Sequence, residues 1–212
     1  MIDQDSKRSK EPSMFSFFKD LPNVCSLAGL ACVLLGIYFA ILGNFRFALI
    51  GVLWATLFDW GDGIIARNMK GRTEIQGAFG AQLDSLIDIV SFGVFPAVFL
   101  LSYGKFHPVF LPGAFIIIAA SAIRLSYFNI YGLIDKKTYK GLAIDNNVII
   151  LAFVFLFEQY FTYTSFSIIL YTLLMLLPIF NLASIRTYKF GGKWVYVLIV
   201  YVIGMTAFYG WF

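Results

Sequence analysis

Four aspartates stand in apolar surroundings, and their spacing could place them in one site. Asp59 and Asp62 are three residues apart, and Asp84 and Asp88 are four apart. Residues at these separations lie on one face of an α-helix, so each pair projects from one side of its helix. Four carboxylates in one cavity would repel one another unless a cation lay among them. Oxygen ligands of this kind suit a divalent ion such as Mg²⁺ or Mn²⁺.

Small and basic residues beside these aspartates favour a phosphorylated ligand. Gly63 directly follows Asp62, and Gly80 stands four residues before Asp84, so a ligand could approach the backbone at both places. Arg67 adds a side chain that can hold a phosphate through two hydrogen bonds. From the carboxylates alone, the alternative is a proton or cation path in a transporter or channel.

The elements that carry these residues are predicted to be membrane-spanning helices. The chain has 212 residues, of which 60% are apolar and 13% are charged, a composition typical of polytopic membrane proteins. Apolar runs of about 20 residues, the length that crosses a bilayer core, recur with short breaks. We therefore predict an all-α, polytopic integral membrane helical bundle of about seven transmembrane helices. The predicted spans are 22–43, 46–68, 79–103, 108–130, 142–161, 165–184 and 193–211.

The region before the first span is predicted to differ from the rest of the chain. Residues 1–21 form a polar N-terminal tail, expected to be disordered at its start, and a short interfacial segment. The stretch MFSFFKDLP, which begins at Met14, could be an amphipathic anchor in the interface or simply the start of the first span. Residues 22–212 form a single transmembrane domain. The first span begins too late and is too long for a cleaved signal peptide.

The positive charges predict an orientation in the membrane. Cytoplasmic loops collect Lys and Arg, and short exported loops do not. The two loops predicted on the opposite side carry only Arg46 and Lys105, and Arg124 lies inside a span. We therefore predict a cytoplasmic N-terminus, an active site at the cytoplasmic interface and no nucleic-acid partner. The residues on the predicted cytoplasmic side are Lys7, Arg8, Lys10, Lys19, Arg67, Lys70, Arg72, Lys136, Lys137, Lys140, Arg186, Lys189 and Lys193.

The string DWGDGIIARNMKGRTEIQGAFGAQLDSLID, residues 59–88, resembles the signature of the CDP-alcohol phosphotransferase family of integral membrane enzymes. That signature reads DxxDGxxAR followed by GxxxDxxxD. The stretch between its two halves is longer here than in many members, and we place the extra residues in the turn KGRTEIQG, residues 70–77. Every fixed position is filled, namely Asp59, Asp62, Gly63, Ala66, Arg67, Gly80, Asp84 and Asp88.

The resemblance implies a fold, a reaction and a set of roles. The family has a six-helix core with a polar cavity at the cytosolic interface, uses two divalent ions, Mg²⁺ or Mn²⁺, and commonly forms homodimers. Its members transfer a phosphatidyl group from a CDP-linked lipid in the membrane to an alcohol and release CMP. By position, Asp59, Asp62, Asp84 and Asp88 are implied metal ligands, and Asp88 is also the implied general base. The implied CDP-lipid site contains Asp62, Gly63, Ala66, Arg67 and Gly80.

The acceptor alcohol is suggested by three further stretches. Residues 79–97, FGAQLDSLIDIVSFGVFPA, are similar to the phosphatidylserine synthase branch, as are RLSYFN at 124–129 and ASIRTYKF at 183–190. This likeness implies CDP-diacylglycerol as donor and L-serine as acceptor. Tyr127 departs from the branch, which has a second arginine there, and residues 141–145 lack its proline. Glycerol phosphate, inositol phosphate or choline remains an alternative acceptor.

The residues predicted to meet the acceptor are Arg124, Asn129 and Ser85. Arg124 could bind the carboxylate of serine, or it could pair with an aspartate or a phosphate in the cavity. Residues 145–147, DNN, could line the mouth of the cavity and face an ammonium group, or they could cap a helix.

Overall fold

A computed structural model describes residues 13–135, 138–190 and 192–211 of the chain. Residues 1–12, which hold most of the predicted polar tail, lie outside the described residues. So do Lys136 and Lys137, which contributed to the predicted orientation.

The described residues are mostly helical, which confirms the predicted all-α bundle. Short 3₁₀-helices at Met14–Lys19, Pro108–Phe110 and Glu158–Tyr160 accompany the longer helices. The α-helices within the described ranges are α1 Leu21–Ile41, α2 Phe45–Asn68, α3 Glu74–Asp88, α4 Phe95–Tyr103, α5 Leu111–Tyr131, α6 Asp145–Phe155, α7 Tyr163–Leu182 and α8 Trp194–Trp211.

Six helical segments in the described part of the chain are long and apolar enough to cross a membrane. One of them, Glu74–Tyr103, combines α3 and α4 through a π-helical stretch at Ile89–Val94. The others are Leu21–Ile41, Phe45–Asn68, Pro108–Tyr131, Tyr163–Leu182 and Trp194–Trp211.

The predicted span 142–161 is the exception, so the predicted count of seven was only approximate. Its α-helix, α6, has 11 residues and is therefore about 16 Å long, roughly half the thickness of a bilayer core. The reason is visible in the sequence, because only ten apolar residues lie between Asn147 and Glu158.

The start of α3 corrects the predicted turn at residues 70–77. The Thr73 hydroxyl accepts a hydrogen bond from the backbone N–H of Gln76 at 3.2 Å, and the Gln76 side chain accepts one from the backbone N–H of Thr73 at 2.9 Å. This capping box starts the helix at Glu74. The extra residues of the signature therefore lengthen α3 as well as the turn.

Helices α1 and α2 pack with their backbones unusually close, which fixes the helix that carries Asp59 and Asp62. A Cβ atom added at Gly51 would lie 2.7 Å from the carbonyl oxygen of Cys32 and 2.9 Å from the Cα of Gly36. Only glycine fits such an approach, and small residues at helix contacts are a common device in membranes.

Two short strands add a feature that the sequence did not predict. Thr138–Lys140 (β1) pairs antiparallel with Arg186–Tyr188 (β2), and Tyr139 lies opposite Thr187. The strands follow α5 and α7, so they connect the ends of these two helices. The pair brings Tyr139 and the residues after Tyr188 to the cavity that contains the aspartates.

The N-terminal segment is separate from α1. Met14–Lys19 forms its own 3₁₀-helix, in which Phe15 is 80% exposed while Phe17 stacks on Phe79 of α3 with ring centroids 4.0 Å apart. Asp20 then precedes α1 and forms an ion pair with Arg72 at 2.7 Å.

Candidate active site

Three of the four predicted aspartates meet in the structure. Asp59 of α2 and Asp84 and Asp88 of α3 each place a carboxylate oxygen within 4.8 Å of the others. Asp84 and Asp88 are one helical turn apart, so they present both carboxylates on the same side of α3. The structure therefore brings these three carboxylates into one place, as the spacing of the aspartates could allow.

Asp62 lies in the same cavity but has a different partner. Its Oδ2 accepts a hydrogen bond from the Ser26 hydroxyl of α1, and its side chain is buried. It lines the cavity together with Asp59, Asp84 and Asp88, although it is outside the group of three close carboxylates. The hydrogen bond fixes the orientation of this carboxylate.

A cavity of about 220 Å³ contains the four aspartates. Its lining comes from the C-terminal half of α2, from α3, from the C-terminal end of α5, from β1, from the start of α6, and from the chain between β2 and the start of α8. Gly63 also lines it, and a Cβ atom at this position would lie 3.2 Å from Nη1 of Arg67, so glycine leaves space for that guanidinium.

Asp145 is a fifth carboxylate in this cavity. Its Oδ2 accepts a hydrogen bond from the indole Nε1 of Trp60 at 3.0 Å, and its Oδ1 accepts one from the backbone N–H of Asn146 at 3.0 Å. Asp145 is the first residue of α6 and Ile144 is the N-cap. The sequence left two possibilities for Asp145, lining the cavity or capping a helix. The structure places Asp145 in the cavity lining and outside the N-cap position.

Basic and aromatic side chains complete the lining. Arg67 and Lys189 both contribute, and the Lys189 Nζ lies 5.7 Å from the ring centroid of Tyr139. Burial lowers the pKa of Lys189, the charge of Arg67 lowers it further, and Asp145 partly offsets this effect. Burial also raises the pKa of Tyr139, with a further contribution from Asp145. The sequence did not identify Lys189 as a site residue. The stretch that contains it, ASIRTYKF, was noted only for its similarity to the phosphatidylserine synthase branch.

Two signature residues lie away from the cavity lining. Ala66 and Gly80 are absent from the lining among the described residues. A Cβ atom at Gly80 would lie against the guanidinium of Arg72 and 3.1 Å from Oδ1 of Asn23. The space that Gly80 leaves is thus occupied by neighbouring side chains of the protein itself.

The three predicted acceptor residues also lie outside the lining. Ser85 and Asn129 bind each other, with the Asn129 amide donating to the Ser85 hydroxyl at 3.0 Å. Arg124 is 5% exposed and its guanidinium lies 5.7 Å from the ring of Phe128 and 5.4 Å from that of Tyr139. Both rings line the cavity, so Arg124 contacts the residues of its wall without lining it.

The carboxylate group fits a hard divalent cation. In the described part of the chain, no Lys or Arg forms an ion pair with Asp59, Asp84 or Asp88. Three close, half-buried carboxylates without a basic partner need another positive charge, and all of their donor atoms are oxygens.

Comparison with known proteins agrees with the signature. The sequence model of the CDP-alcohol phosphatidyltransferase family matches residues 19–211. The chain belongs to this family. The family match covers the aspartate cavity and all six candidate membrane spans.

Several curated proteins are similar to the chain. It is 37% identical over 128 residues to the archaetidylserine synthase of Methanothermobacter thermautotrophicus, covering 60% of this chain and 54% of that protein. It is 33% identical over 120 residues to the CDP-diacylglycerol–serine O-phosphatidyltransferase of Methanocaldococcus jannaschii, covering 56% and 53%. A protein of the same name from Helicobacter pylori is 25% identical over 189 residues, covering 86% and 78%. The chain spans about half the length of the two archaeal relatives.

Proposed function

We propose that the protein transfers a phosphatidyl group from CDP-diacylglycerol to L-serine, giving phosphatidylserine and CMP. The observation that carries this proposal is the carboxylate group of Asp59, Asp84 and Asp88 in a cavity that also holds Asp62 and Arg67. Serine is proposed as the acceptor because one similar protein is named archaetidylserine synthase and two are named CDP-diacylglycerol–serine O-phosphatidyltransferase.

The aspartates would hold the metal. Asp59, Asp84 and Asp88 are proposed as shared ligands of Mg²⁺ or Mn²⁺, and Asp62 is proposed as a further ligand. We propose two ions because the resemblance to the family implies two. When bound, divalent ions neutralise the pyrophosphate of the donor and stabilise the departing CMP.

Asp88 is proposed as the general base. The serine hydroxyl oxygen forms a bond to the phosphorus that carries the diacylglycerol, and the bond from that phosphorus to the bridging oxygen of CMP breaks. The hydroxyl proton passes to the Asp88 carboxylate, and the electron pair of the broken bond leaves with CMP. Because Asp88 lines the cavity, its carboxylate is accessible to a bound alcohol.

Arg67 is proposed to bind the donor phosphates. It lines the cavity beside Gly63, which leaves space for its guanidinium. Asp62, Gly63, Ala66 and Gly80 stay predictions for the rest of the CDP-lipid site, and Gly80 would act there through Arg72 and Asn23, the side chains it adjoins.

Lys189 and Asp145 are proposed to recognise the two charged groups of serine. A free amino acid carries an ammonium and a carboxylate, and the cavity offers an aspartate and a lysine beyond those of the signature. Asp145 would bind the ammonium and Lys189 the carboxylate. Arg124, Asn129 and Ser85 stay predictions for the acceptor, although none of the three lines the cavity.

A phosphorylated alcohol is the second candidate acceptor. The observation that favours it is the presence of both Arg67 and Lys189 in the lining, because two cations suit a phosphate as well as a carboxylate. Glycerol phosphate and inositol phosphate belong to this class.

The surroundings of the site are also proposed. The positive charges support a cytoplasmic N-terminus and a cavity at the cytoplasmic interface. The family resemblance supports a homodimer.

A panel of acceptors tests the proposed reaction. Purified protein would receive Mg²⁺ or Mn²⁺, a CDP-lipid with ester- or ether-linked chains, and one alcohol at a time, and CMP would be measured. We expect L-serine to give the fastest release. Faster release with glycerol phosphate or inositol phosphate would favour the second candidate, and no release with any alcohol would contradict both.

A further inference from the structure

A second cavity lies between the C-terminal ends of α5 and α7. Its volume is about 250 Å³, and we name it the α5–α7 pocket. The lining comes from α5, from β1 and from the C-terminal end of α7. It consists of Ile123, Arg124, Tyr127, Lys140 and residues 181–184. No Asp or Glu of the described residues lines this pocket, whereas five aspartates were found in the candidate active site.

Arg124 brings a buried charge to the pocket without a matching partner. Its side chain is 5% exposed, and its Nε is buried with no hydrogen-bond partner among the described residues. Asp145 is close enough to attract it, but the two form no ion pair. A buried guanidinium without a hydrogen-bonded anion is unfavourable, so the arrangement favours an anionic ligand at this place.

Lys140 supplies a second cation. Its Nζ donates a hydrogen bond to the Tyr127 hydroxyl at 3.3 Å and lies 5.1 Å from the centroid of the same ring. The side chain is exposed, so it can turn towards a ligand at low cost. Two cations and the hydroxyl of Ser184 therefore surround one small space.

The rim of the pocket is apolar and points out of the bundle. Ile123 is 58% exposed and Leu182 is 47% exposed, and Tyr127 beside them is 36% exposed. In a chain with six candidate membrane spans, large exposed apolar side chains on spanning helices contact acyl chains. A ligand with a negative head and apolar tails matches both parts of the pocket.

We propose that the α5–α7 pocket binds the headgroup phosphate of an anionic phospholipid, separately from the catalytic cavity. Arg124 and Lys140 hold the phosphate, and the acyl chains lie along Ile123 and Leu182. Since Arg124 packs on Phe128 and Tyr139, which line the catalytic cavity, this lipid contacts the wall of the active site from outside.

The test measures lipid retention on the full chain. Protein purified in detergent is titrated with phosphatidylglycerol or phosphatidylcholine, and bound lipid is counted by native mass spectrometry. We expect phosphatidylglycerol to bind more tightly, and Lys140→Gln to weaken its binding about fivefold, the effect of removing one basic residue near an anionic lipid surface. Lys70→Gln removes an exposed lysine that lines neither the α5–α7 pocket nor the candidate active site, and it should leave the binding unchanged.

Other outcomes would overturn the proposal. Equal binding of the two lipids, or equal binding of phosphatidylglycerol to the wild type and Lys140→Gln, would contradict it. An equal loss in Lys70→Gln and Lys140→Gln would show general surface attraction only. Displacement of phosphatidylglycerol by L-serine or inorganic phosphate would assign the pocket to a soluble ligand. Arg124→Gln should weaken lipid binding more than Lys140→Gln does. If Arg124→Gln fails to fold, the Lys140→Gln result alone tests the proposal, because Lys140 is exposed.

Discussion

The indole of Trp60 donates a hydrogen bond to the carboxylate of Asp145 at 3.0 Å. Trp60 stands between the first two aspartates of the signature on α2, and Asp145 begins the short helix α6. The bond therefore connects the helix that carries Asp59 and Asp62 with a residue proposed to recognise the acceptor. It also places α6 at the cavity despite the short length of that helix.

Replacing Trp60 with Phe should weaken the acceptor site more than the donor site. The ring is kept, but Asp145 loses a hydrogen bond to a charged group, which is worth about 1.5–3 kcal/mol. We expect the KM for L-serine to rise at least about tenfold and the KM for the CDP-lipid to change little. Trp54→Phe is the matched control, because Trp54 donates a similar bond to Thr206 at 3.1 Å, away from the cavity. Equal effects of the two substitutions on the serine KM would contradict the role of Trp60.

A divalent metal should stabilise the folded protein through the carboxylate group. A ligand that binds only the folded state at about 100 times its Kd adds about 2.7 kcal/mol. We expect Mg²⁺ or Mn²⁺ to raise the Tm of the wild type in detergent and to raise that of Asp84→Asn much less. Glu74→Gln, which removes an exposed acid from the first turn of the same helix, should respond like the wild type. The same rise in all three proteins would place the metal elsewhere.

Lys189 should control the acceptor KM, and this control should depend on pH. Lys189→Gln should raise the KM for L-serine about tenfold, the effect of losing a charged hydrogen bond, with little change for the donor. Burial lowers the pKa of Lys189, so its charge is lost at a lower pH than for an exposed lysine. The wild-type KM should therefore increase as the pH rises through that lowered pKa.

Lys189→Arg is the control, since an arginine keeps its charge across this pH range. In that variant, the increase in KM should move to higher pH. Identical alkaline profiles for the wild type and Lys189→Arg would show that another group is responsible.

The ion pair between Arg72 and Asp20 should be important for stability. The Asp20 side chain is fully buried, and Arg72 contacts its Oδ2 through Nη2 at 2.7 Å and Nε at 2.8 Å. Arg72→Met would leave a buried carboxylate without its partner, which typically costs about 3–5 kcal/mol.

We therefore expect a clear fall in the Tm of Arg72→Met, and partial recovery when Asp20→Asn is added. Arg186→Met removes an exposed arginine and should have little effect on the Tm. An unchanged Tm in Arg72→Met would show that the pair is not needed for stability.

The sequence predicted the aspartate group well because its spacing follows the helix period. Asp84 and Asp88 share a helical face because they are four residues apart, and the short connection from α2 to α3 keeps Asp59 on the other side of the same cavity. The apolar runs likewise predicted the long helices, because helix length in a membrane follows bilayer thickness.

Other parts of the site depend on contacts that no local pattern records. Strands of three residues, such as Thr138–Lys140, are too short to show an alternating pattern. Lys189 lines the cavity directly after Arg186–Tyr188, the strand that pairs with Thr138–Lys140. Asp145 reaches it through the start of α6, and the same residue in the sequence could equally have capped a helix. The apolar content of 142–161 did not show that its α-helix would end at Phe155, because composition does not set where a helix ends.

Transfer of labelled L-serine into lipid tests the central proposal most directly. Purified protein would receive CDP-diacylglycerol, Mg²⁺ or Mn²⁺ and isotope-labelled serine, and labelled lipid and CMP would be measured together. We expect equal amounts of the two products, and a fall of at least about a hundredfold in Asp88→Asn, the usual effect of losing a general base. Glu158→Gln, which alters an acid outside the cavity, should stay active. CMP release without labelled lipid, or full activity in a folded Asp88→Asn variant, would contradict the proposed reaction.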